Sequence, residues 1–357
     1  MKQWVTLMDG IDRLQVQEVP EPIDIKEDEV LVRINAVAIN HRDIKSMTEF
    51  ITISSMAISK GGMRLLPTRM VPTSDASGTI VKVGRPAAAT KWREGDRVLG
   101  LVRPTHLTGP TRSEHHALGL GFPQPGVLTE YRVFSGLRPG ADTAGRQQHF
   151  LLQLPLAWMA LNWDRPIDRP VRGPQTVVLL QGTGGVSIHA LQQATALGLT
   201  TIVTSSSDEK LLKAQELGAT HTVNYNTTPE WADEVLNLTQ GKGADIIVET
   251  GGPETMPQSV RAVAEGGVIS AVGVLTGMTE EKPQLAIGLS LINRNAVLKG
   301  INIGPRDRVE EMMRLYQQED IHPIINRCFK FDGAKDALTY MKDGFHFGKV
   351  VIKVNED

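Results

Sequence analysis

The sequence predicts an α/β protein, in which a mostly antiparallel β domain accompanies a doubly wound parallel sheet of six strands. Three observations predict it. The first ~150 residues carry short apolar, β-branched runs punctuated by Gly and Pro, the pattern of antiparallel strands joined by turns. From about residue 151 onward, apolar strands alternate with helical stretches, which calls for a parallel sheet covered on both faces. The length, 357 residues, exceeds the roughly 250–300 at which a single core stops growing, so two domains are expected.

In the first part the strands are expected at Val30–Ile39, Gly78–Val83, Arg97–Val102 and Leu128–Phe134, with Pro104–Gly126 as a long polar loop. Leu151–Trp163 suits a buried helix, and a Pro- and Arg-rich connector follows over Asp164–Pro174. The parallel strands are then Thr176–Gln181, Thr201–Thr204, His221–Asn224, Asp245–Glu249, Val268–Val272 and Val297–Ile303. Their helices are expected near Val186–Leu197, Asp208–Leu217, Pro229–Thr239 and Glu254–Ala264. A helix at Arg308–Glu319 and a strand at Lys349–Val354 close the chain. The domain boundaries fall at residues 155/156 and 303/304, so that 1–155 and 304–357 form the β domain and 156–303 the parallel sheet.

Composition excludes several functions. Thirty-eight Lys and Arg against 40 Asp and Glu leave a formal charge of −2, without the basic excess of a dedicated nucleic-acid binder. No run approaches the ~18 apolar residues of a membrane span. The opening MKQWVTLMDGIDR has no apolar segment behind a basic one, and a cytoplasmic setting is expected. A single cysteine, Cys328, excludes an intramolecular disulfide and any zinc site built from two or more thiolates.

The strand TVVLLQ runs into Gly182-Thr183-Gly184-Gly185-Val186-Ser187 and then into a helix. In that context Gly182 permits a tight turn. Gly184 lets backbone N–H groups approach a pyrophosphate at the positive end of the helix. NAD sites place a carboxylate at the end of the second strand, ~20 residues past the first glycine, to hold the ribose 2′-hydroxyl. Here that strand ends in Ser205-Ser206-Ser207-Asp208-Glu209-Lys210. Hydroxyls and the Lys210 ammonium suit a 2′-phosphate, and a cation in a helix's first turn opposes the dipole unless an anion sits there. The expected coenzyme is NADP(H), with a plain N-cap at Ser207 as the structural alternative.

On these stretches the chain resembles the medium-chain dehydrogenase/reductase superfamily, in its zinc-independent quinone-oxidoreductase-like and alcohol-dehydrogenase-like branches. VLVRINAVAINHRD (30–43), VPTSDASGTIVKVG (71–84), VVLLQGTGGVSIHALQQATALG (177–198), TSSSDEKLLKAQELGATHTVNY (204–225), DIIVETGGPETM (245–256), GGVISAVGVLTG (266–277) and HFGKVVI (346–352) carry the likeness. The resemblance implies a GroES-like catalytic domain formed by both ends of the chain, with a Rossmann domain inserted between them. It further implies that Gly184, Gly185 and Val186 hold the pyrophosphate, and that Ser205, Ser206, Lys210 and Tyr225 hold the 2′-phosphate. Thr250, Val272, Gly273, Ile301, Asn302 and Ile303 would line the nicotinamide, with Phe347 and Lys349 near the coenzyme.

Zinc-dependent relatives keep a Cys after the first long strand and a His-Glu pair in the next glycine-rich segment. Here those segments read Ala38-Ile39-Asn40-His41-Arg42-Asp43 and Thr73-Ser74-Asp75-Ala76. They do not offer the three ligands of a catalytic zinc, and no metal is expected. His106, His115 and His116 lie in a Gly- and Pro-rich loop that suits ligand geometry poorly. Without a Lewis acid, developing negative charge needs hydrogen-bond donors or conjugation, which favours activated alkenes and quinones over simple ketones. The resemblance places Asn40 beside the nicotinamide, with Arg42 and Asp43 as further catalytic candidates. Lys45–Gly62 contains no tyrosine to donate a proton, which leaves water, Arg42 or the substrate itself. Phe50–Leu66 is apolar and suggests a lipophilic substrate. The expected function is thus NADPH-dependent reduction of an activated C=C or C=O bond in a lipophilic small molecule, with secondary-metabolite tailoring as a setting by analogy. The alternatives are a zinc-free, NADP-dependent alcohol dehydrogenase and a coenzyme-binding protein with little redox activity. A homodimer through the edge strand around Val297–Ile303 is expected.

Overall fold

Eleven consecutive residues, Glu29–Ile39, form the axis of the first sheet, and most are buried because strands flank them on both sides. The structure, a computed structural model, describes residues 1–48, 69–84, 92–135, 153–277 and 287–355. Two units emerge: Met1–Leu152 with Pro305–Glu310 and Ile325–Asp357, and Gln153–Gly304 with Glu311–Ile324.

In the first unit the sheet runs Ile325–Lys330, Lys349–Lys353, Glu29–Ile39, Asp75–Val83 and Arg97–Leu99, with Tyr131–Ser135 also pairing Glu29–Ile39. Every pairing is antiparallel except that of Ile325–Lys330 with Lys349–Lys353. A hairpin of Lys2–Val5 and Gln15–Glu18 stands apart. Two registers matter for function. Val350 pairs with Ile39, and Ala38 pairs with Asp75, so Lys349, Asn40 and Asp75 converge at one end of three adjacent strands.

The second unit holds a parallel sheet in the order Val297–Gly300, Val263–Ala271, Ala244–Glu249, Val177–Gln181, Thr200–Ser205, His221–Asn224. Numbered from its first strand, this is the 3-2-1-4-5-6 Rossmann order, whose crevice lies at the carboxyl ends where the order reverses. Val177–Gln181 is buried along its whole length, as a strand with helices on both faces must be.

Several sequence expectations are corrected. The helix Arg306–Gln318 is divided between the units, and residues 311–324 belong with the parallel sheet instead of with the β domain. The reason is packing: Trp158 donates its indole N–H to Glu311 at 2.9 Å, and Gln193 donates to the hydroxyl of fully buried Tyr316 at 3.3 Å. The polar loop Pro104–Gly126 contains a short helix, Ser113–Ala117. A helix at His41–Thr48 follows the central strand directly, where a β pattern alone was expected. The last parallel strand ends at Gly300, short of Ile303. The apolar segment Phe50–Leu66 lies outside the described residues.

Candidate functional site

Each unit brings one set of expected residues together. In the parallel-sheet unit, strand Val177–Gln181 turns sharply at Gly182, whose φ of +72° is the left-handed conformation that a side chain disfavours. Thr183 is buried, Gly184 is the N-cap of helix Gly185–Ala196 without a side-chain cap, and Gly185 and Val186 form its first turn. The leading N–H groups of a 12-residue helix therefore lack a side-chain acceptor. This is the donor set and dipole an anionic pyrophosphate requires.

The neighbouring strand ends beside it. Ser205 is buried and its hydroxyl accepts from the Ser207 N–H at 3.3 Å, so it shapes the turn. Ser206 is exposed, and its carbonyl accepts from Asn226 at 3.2 Å. Ser207 caps the next helix by accepting from the Lys210 N–H at 3.4 Å. Lys210 is half-buried, and burial holds its ammonium below the usual lysine range. Tyr225 joins the group through its N–H, which donates to the Ser205 carbonyl at 3.1 Å, and its side chain is exposed. The nearby carboxylate, Asp208, accepts from Asn224 at 2.6 Å.

A residue that sequence reasoning did not assign a role organises the same edge. Glu249 ends its strand fully buried. Its carboxylate accepts from Gln181 at 2.7 Å, from the Gly251 and Gly252 N–H groups at 2.9 and 3.0 Å, from Thr255 at 2.6 Å, and from Ser259. Gln181 returns its amide oxygen to the Thr250 N–H at 3.0 Å. Glu249 thus ties the residue before the glycine turn to the loop after its own strand. An ionisable residue closing an apolar run, DIIVE, was the available signal. Thr250 is buried, and a Cβ on Gly273 would lie 2.5 Å from the Thr250 carbonyl, so only glycine lets these two loops touch. Val272 donates its N–H to the Glu249 carbonyl at 2.8 Å. Ile301 is buried, Asn302 exposed and Ile303 half-buried just past the edge strand.

In the β unit the converging registers build a buried polar network. Asn40 donates from Nδ2 to Asp75 at 2.9 Å and accepts at Oδ1 from the Lys349 ammonium at 2.8 Å. Because an ammonium only donates and a carboxylate only accepts, these partners fix which way the amide faces. Lys349 also donates to the Ile39 carbonyl at 3.2 Å, and Asp43 accepts from the Asn40 N–H at 2.9 Å. Burial raises the Asp43 carboxyl to about 6, with Asp75 adding and Arg42, the Asn40 N–H and Lys349 opposing. Burial lowers the Lys349 ammonium to about 8 against the pull of Asp75 and Asp43. Lys349 is buried to 1% exposure and Phe347 is buried beside it in sequence, whereas Arg42 is half-buried. Asp75 is the second residue that sequence reasoning left without a role.

The loop histidines have other partners. His106 and His115 stack with ring centroids 4.4 Å apart. His106 donates from Nε2 to the Gly109 carbonyl at 2.9 Å, and the His115 Nδ1 accepts from the Arg112 N–H at 3.1 Å. The His116 Nδ1 accepts from Arg103 at 3.0 Å.

Comparison with known proteins gives this geometry a family. Residues 26–137 match the alcohol dehydrogenase GroES-like domain, and residues 185–318 match the zinc-binding dehydrogenase model. The chain is 35% identical over 353 residues to a zinc-type alcohol dehydrogenase-like protein of Schizosaccharomyces pombe, covering 97% of this chain and 96% of that one. The chain belongs to the medium-chain dehydrogenase/reductase superfamily. A structure from Sinorhizobium meliloti 1021, described as that of a candidate alcohol dehydrogenase, is 33% identical with a TM-score of 0.80, covering 99% of this chain and 100% of that one. A structure of an NAD-dependent alcohol dehydrogenase is 26% identical with a TM-score of 0.79, covering 99% and 100%.

As a member of this superfamily the chain is an oxidoreductase that uses a nicotinamide coenzyme. The open helix end, the left-handed Gly182 and the loops tied by Glu249 fit that coenzyme. The second matching model carries zinc in its description, and the described residues do not fit the metal. Among the described residues no group of three or more His, Cys, Asp or Glu could hold an ion. At Asn40 an amide stands between two carboxylates, and the Lys349 ammonium already provides compensating charge. Among the described residues no helix is long and apolar enough to cross a membrane.

Proposed function

We propose that the protein transfers hydride from NADPH to an activated C=C or C=O bond of a lipophilic small molecule, without zinc. The observation that supports the reading is the Asn40 amide, fixed by Lys349 and Asp75 in the segment where the resemblance would place a ligand in zinc-dependent relatives. The bound coenzyme supplies the hydride. Gly184, Gly185 and Val186 would hold its pyrophosphate, and Ser206, Lys210 and Tyr225 its 2′-phosphate. Thr250, Val272, Gly273, Ile301, Asn302 and Ile303 would line the nicotinamide.

One Asn40 Nδ2 hydrogen goes to Asp75, and its second hydrogen is the donor that would meet an oxygen gaining negative charge. Lys349, bonded to Oδ1, polarises the amide and strengthens that donor. Conjugation does the rest: hydride addition to an enone's β-carbon spreads charge into an enolate, and a proton from water or Arg42 then completes the reduction. A second reading, oxidation of an alcohol with NADP, draws on the names of the relatives.

The test is product analysis with NADPH and a panel of enones, quinones and ketones, run with and without a zinc chelator. Reduction of the conjugated acceptors at a rate the chelator leaves intact is expected. Turnover that needs stoichiometric zinc, or that occurs with simple alcohols alone, overturns the proposal.

A further inference from the structure

Arg103 is a guanidinium with 8% of its surface exposed, and it lies in the β unit just after strand Arg97–Leu99. Its side-chain partners are the Thr111 hydroxyl at 3.2 Å and the His116 Nδ1 at 3.0 Å. A guanidinium only donates, so His116 accepts and its ring is neutral. Among the described residues no carboxylate eases the burial of this charge. Its protonation is instead held below the usual arginine range by burial and by the like charge of Arg42, at the start of helix His41–Thr48.

The nearest ionised groups are shared between two neighbours. Arg42 acts electrostatically on both Arg103 and Asp43, and Asp43 in turn feels Asp75 and Lys349. Both Asp75 oxygens are engaged, Oδ1 by the Ser74 hydroxyl at 3.1 Å and Oδ2 by Asn40 at 2.9 Å. Among the described residues the nearby carboxylates are therefore engaged elsewhere: Asp43 and Asp75 accept from Asn40, and Asp307 acts on His106, so none of them compensates Arg103. Burial and Arg103 also hold the imidazoles of His106 and His116 below the usual histidine range, with Asp307 opposing at His106. A buried positive charge without a counter-ion is costly, and a planar fork of N–H donors matches a carboxylate.

We propose that Arg103 and Arg42 seat a carboxylate carried by the substrate, which makes the substrate an acid with a reducible bond and a lipophilic body. The inference rests on the reductase reading above and adds a charged end to its substrate.

Binding separates the two. With NADP⁺ present, which offers no hydride, calorimetry compares trans-2-octenoate with its neutral isostere trans-2-octenamide. The wild type is expected to bind the acid about tenfold or more tightly than the amide. Arg103→Gln and Arg42→Gln should each drive that ratio toward one, and Arg103→Lys should keep part of it. If Arg103→Gln does not fold, Arg42→Gln and Arg103→Lys carry the test. Equal affinities in the wild type overturn the inference. So does an Arg103→Gln variant that loses as much affinity for NADP⁺ as for octenoate, because the anion would then be a coenzyme phosphate. Turnover of the neutral enone 3-octen-2-one with NADPH, alongside equal acid and amide affinities, removes this inference and leaves the reductase reading standing. A wild type that takes up neither NADPH nor NADP⁺ removes both.

Discussion

At the end of strand Thr200–Ser205, neighbouring hydroxyls have different duties. The Ser205 side chain is buried in the turn, and Ser206 is exposed next to half-buried Lys210. Lys210→Ala is expected to raise the KM for NADPH about tenfold while leaving that for NADH nearly unchanged, since a charge-assisted phosphate contact alone is lost. Steady-state kinetics with both coenzymes measures this, and equal losses would refute the assignment. Ser206→Asp should move preference toward NADH, because a carboxylate there repels a 2′-phosphate and accepts from a 2′-hydroxyl. The serine run was visible in the sequence. Which serine faces solvent was not, since that depends on the Ser207 N–H reaching back to Ser205. The Asn40 network makes a pH prediction. Below about 6, Asp43 gains a proton and Arg42 loses its carboxylate neighbour; above about 8, Lys349 loses its charge and the amide its polarising partner. Activity should therefore plateau between those limits. Lys349→Met should lower kcat/KM at least about tenfold and erase the alkaline limb, as a pH–rate profile would show.

Between elements, the device most open to test is Glu249. Its carboxylate gathers donors from the strand end before the glycine turn, from the loop that follows, and from the next helix. Glu249→Gln places an amide where only acceptors fit, and should cost about 2–4 kcal/mol of stability. The loosened loop around Thr250 should raise the coenzyme KM. Thermal melts and coenzyme titrations on the one variant read both, and an unchanged melting temperature would show that the bonds carry no net stability. Element type was largely legible here, because strand–helix alternation and turn glycines are local signals. Asp75 and Glu249 escaped because their meaning comes from registers and neighbouring strands, as when Val350 pairs with Ile39 and brings Lys349 to Asn40. The helix His41–Thr48 was hidden by the β-like run before it, VLVRINAVAI.

For the molecule as a whole, the edge strand Val297–Gly300 is exposed throughout. Beside it in the chain, Leu289 and Ile292 are 57% and 75% exposed. Among the described residues the strand's outer edge is unpaired, and such an edge carrying apolar side chains invites a second copy to continue the sheet. A homodimer is expected in sedimentation equilibrium at micromolar concentration, and Leu298→Glu should shift it to monomer; a monomeric wild type would defeat the idea. Fold class and the need for two units followed from length and periodicity. The assignment of residues 311–324 to the parallel-sheet unit did not, since only the pairing of Glu311 with Trp158 and of Tyr316 with Gln193 draws that stretch across. That detour has a practical outcome. A fragment cut at Gly304 would discard Glu311 and Tyr316, leaving a large indole and a glutamine amide stranded on a newly wetted surface. The nucleotide half is therefore not separable by a single scission, and gene fusions or shuffled chimaeras that splice there should yield insoluble product unless they also carry the later helix.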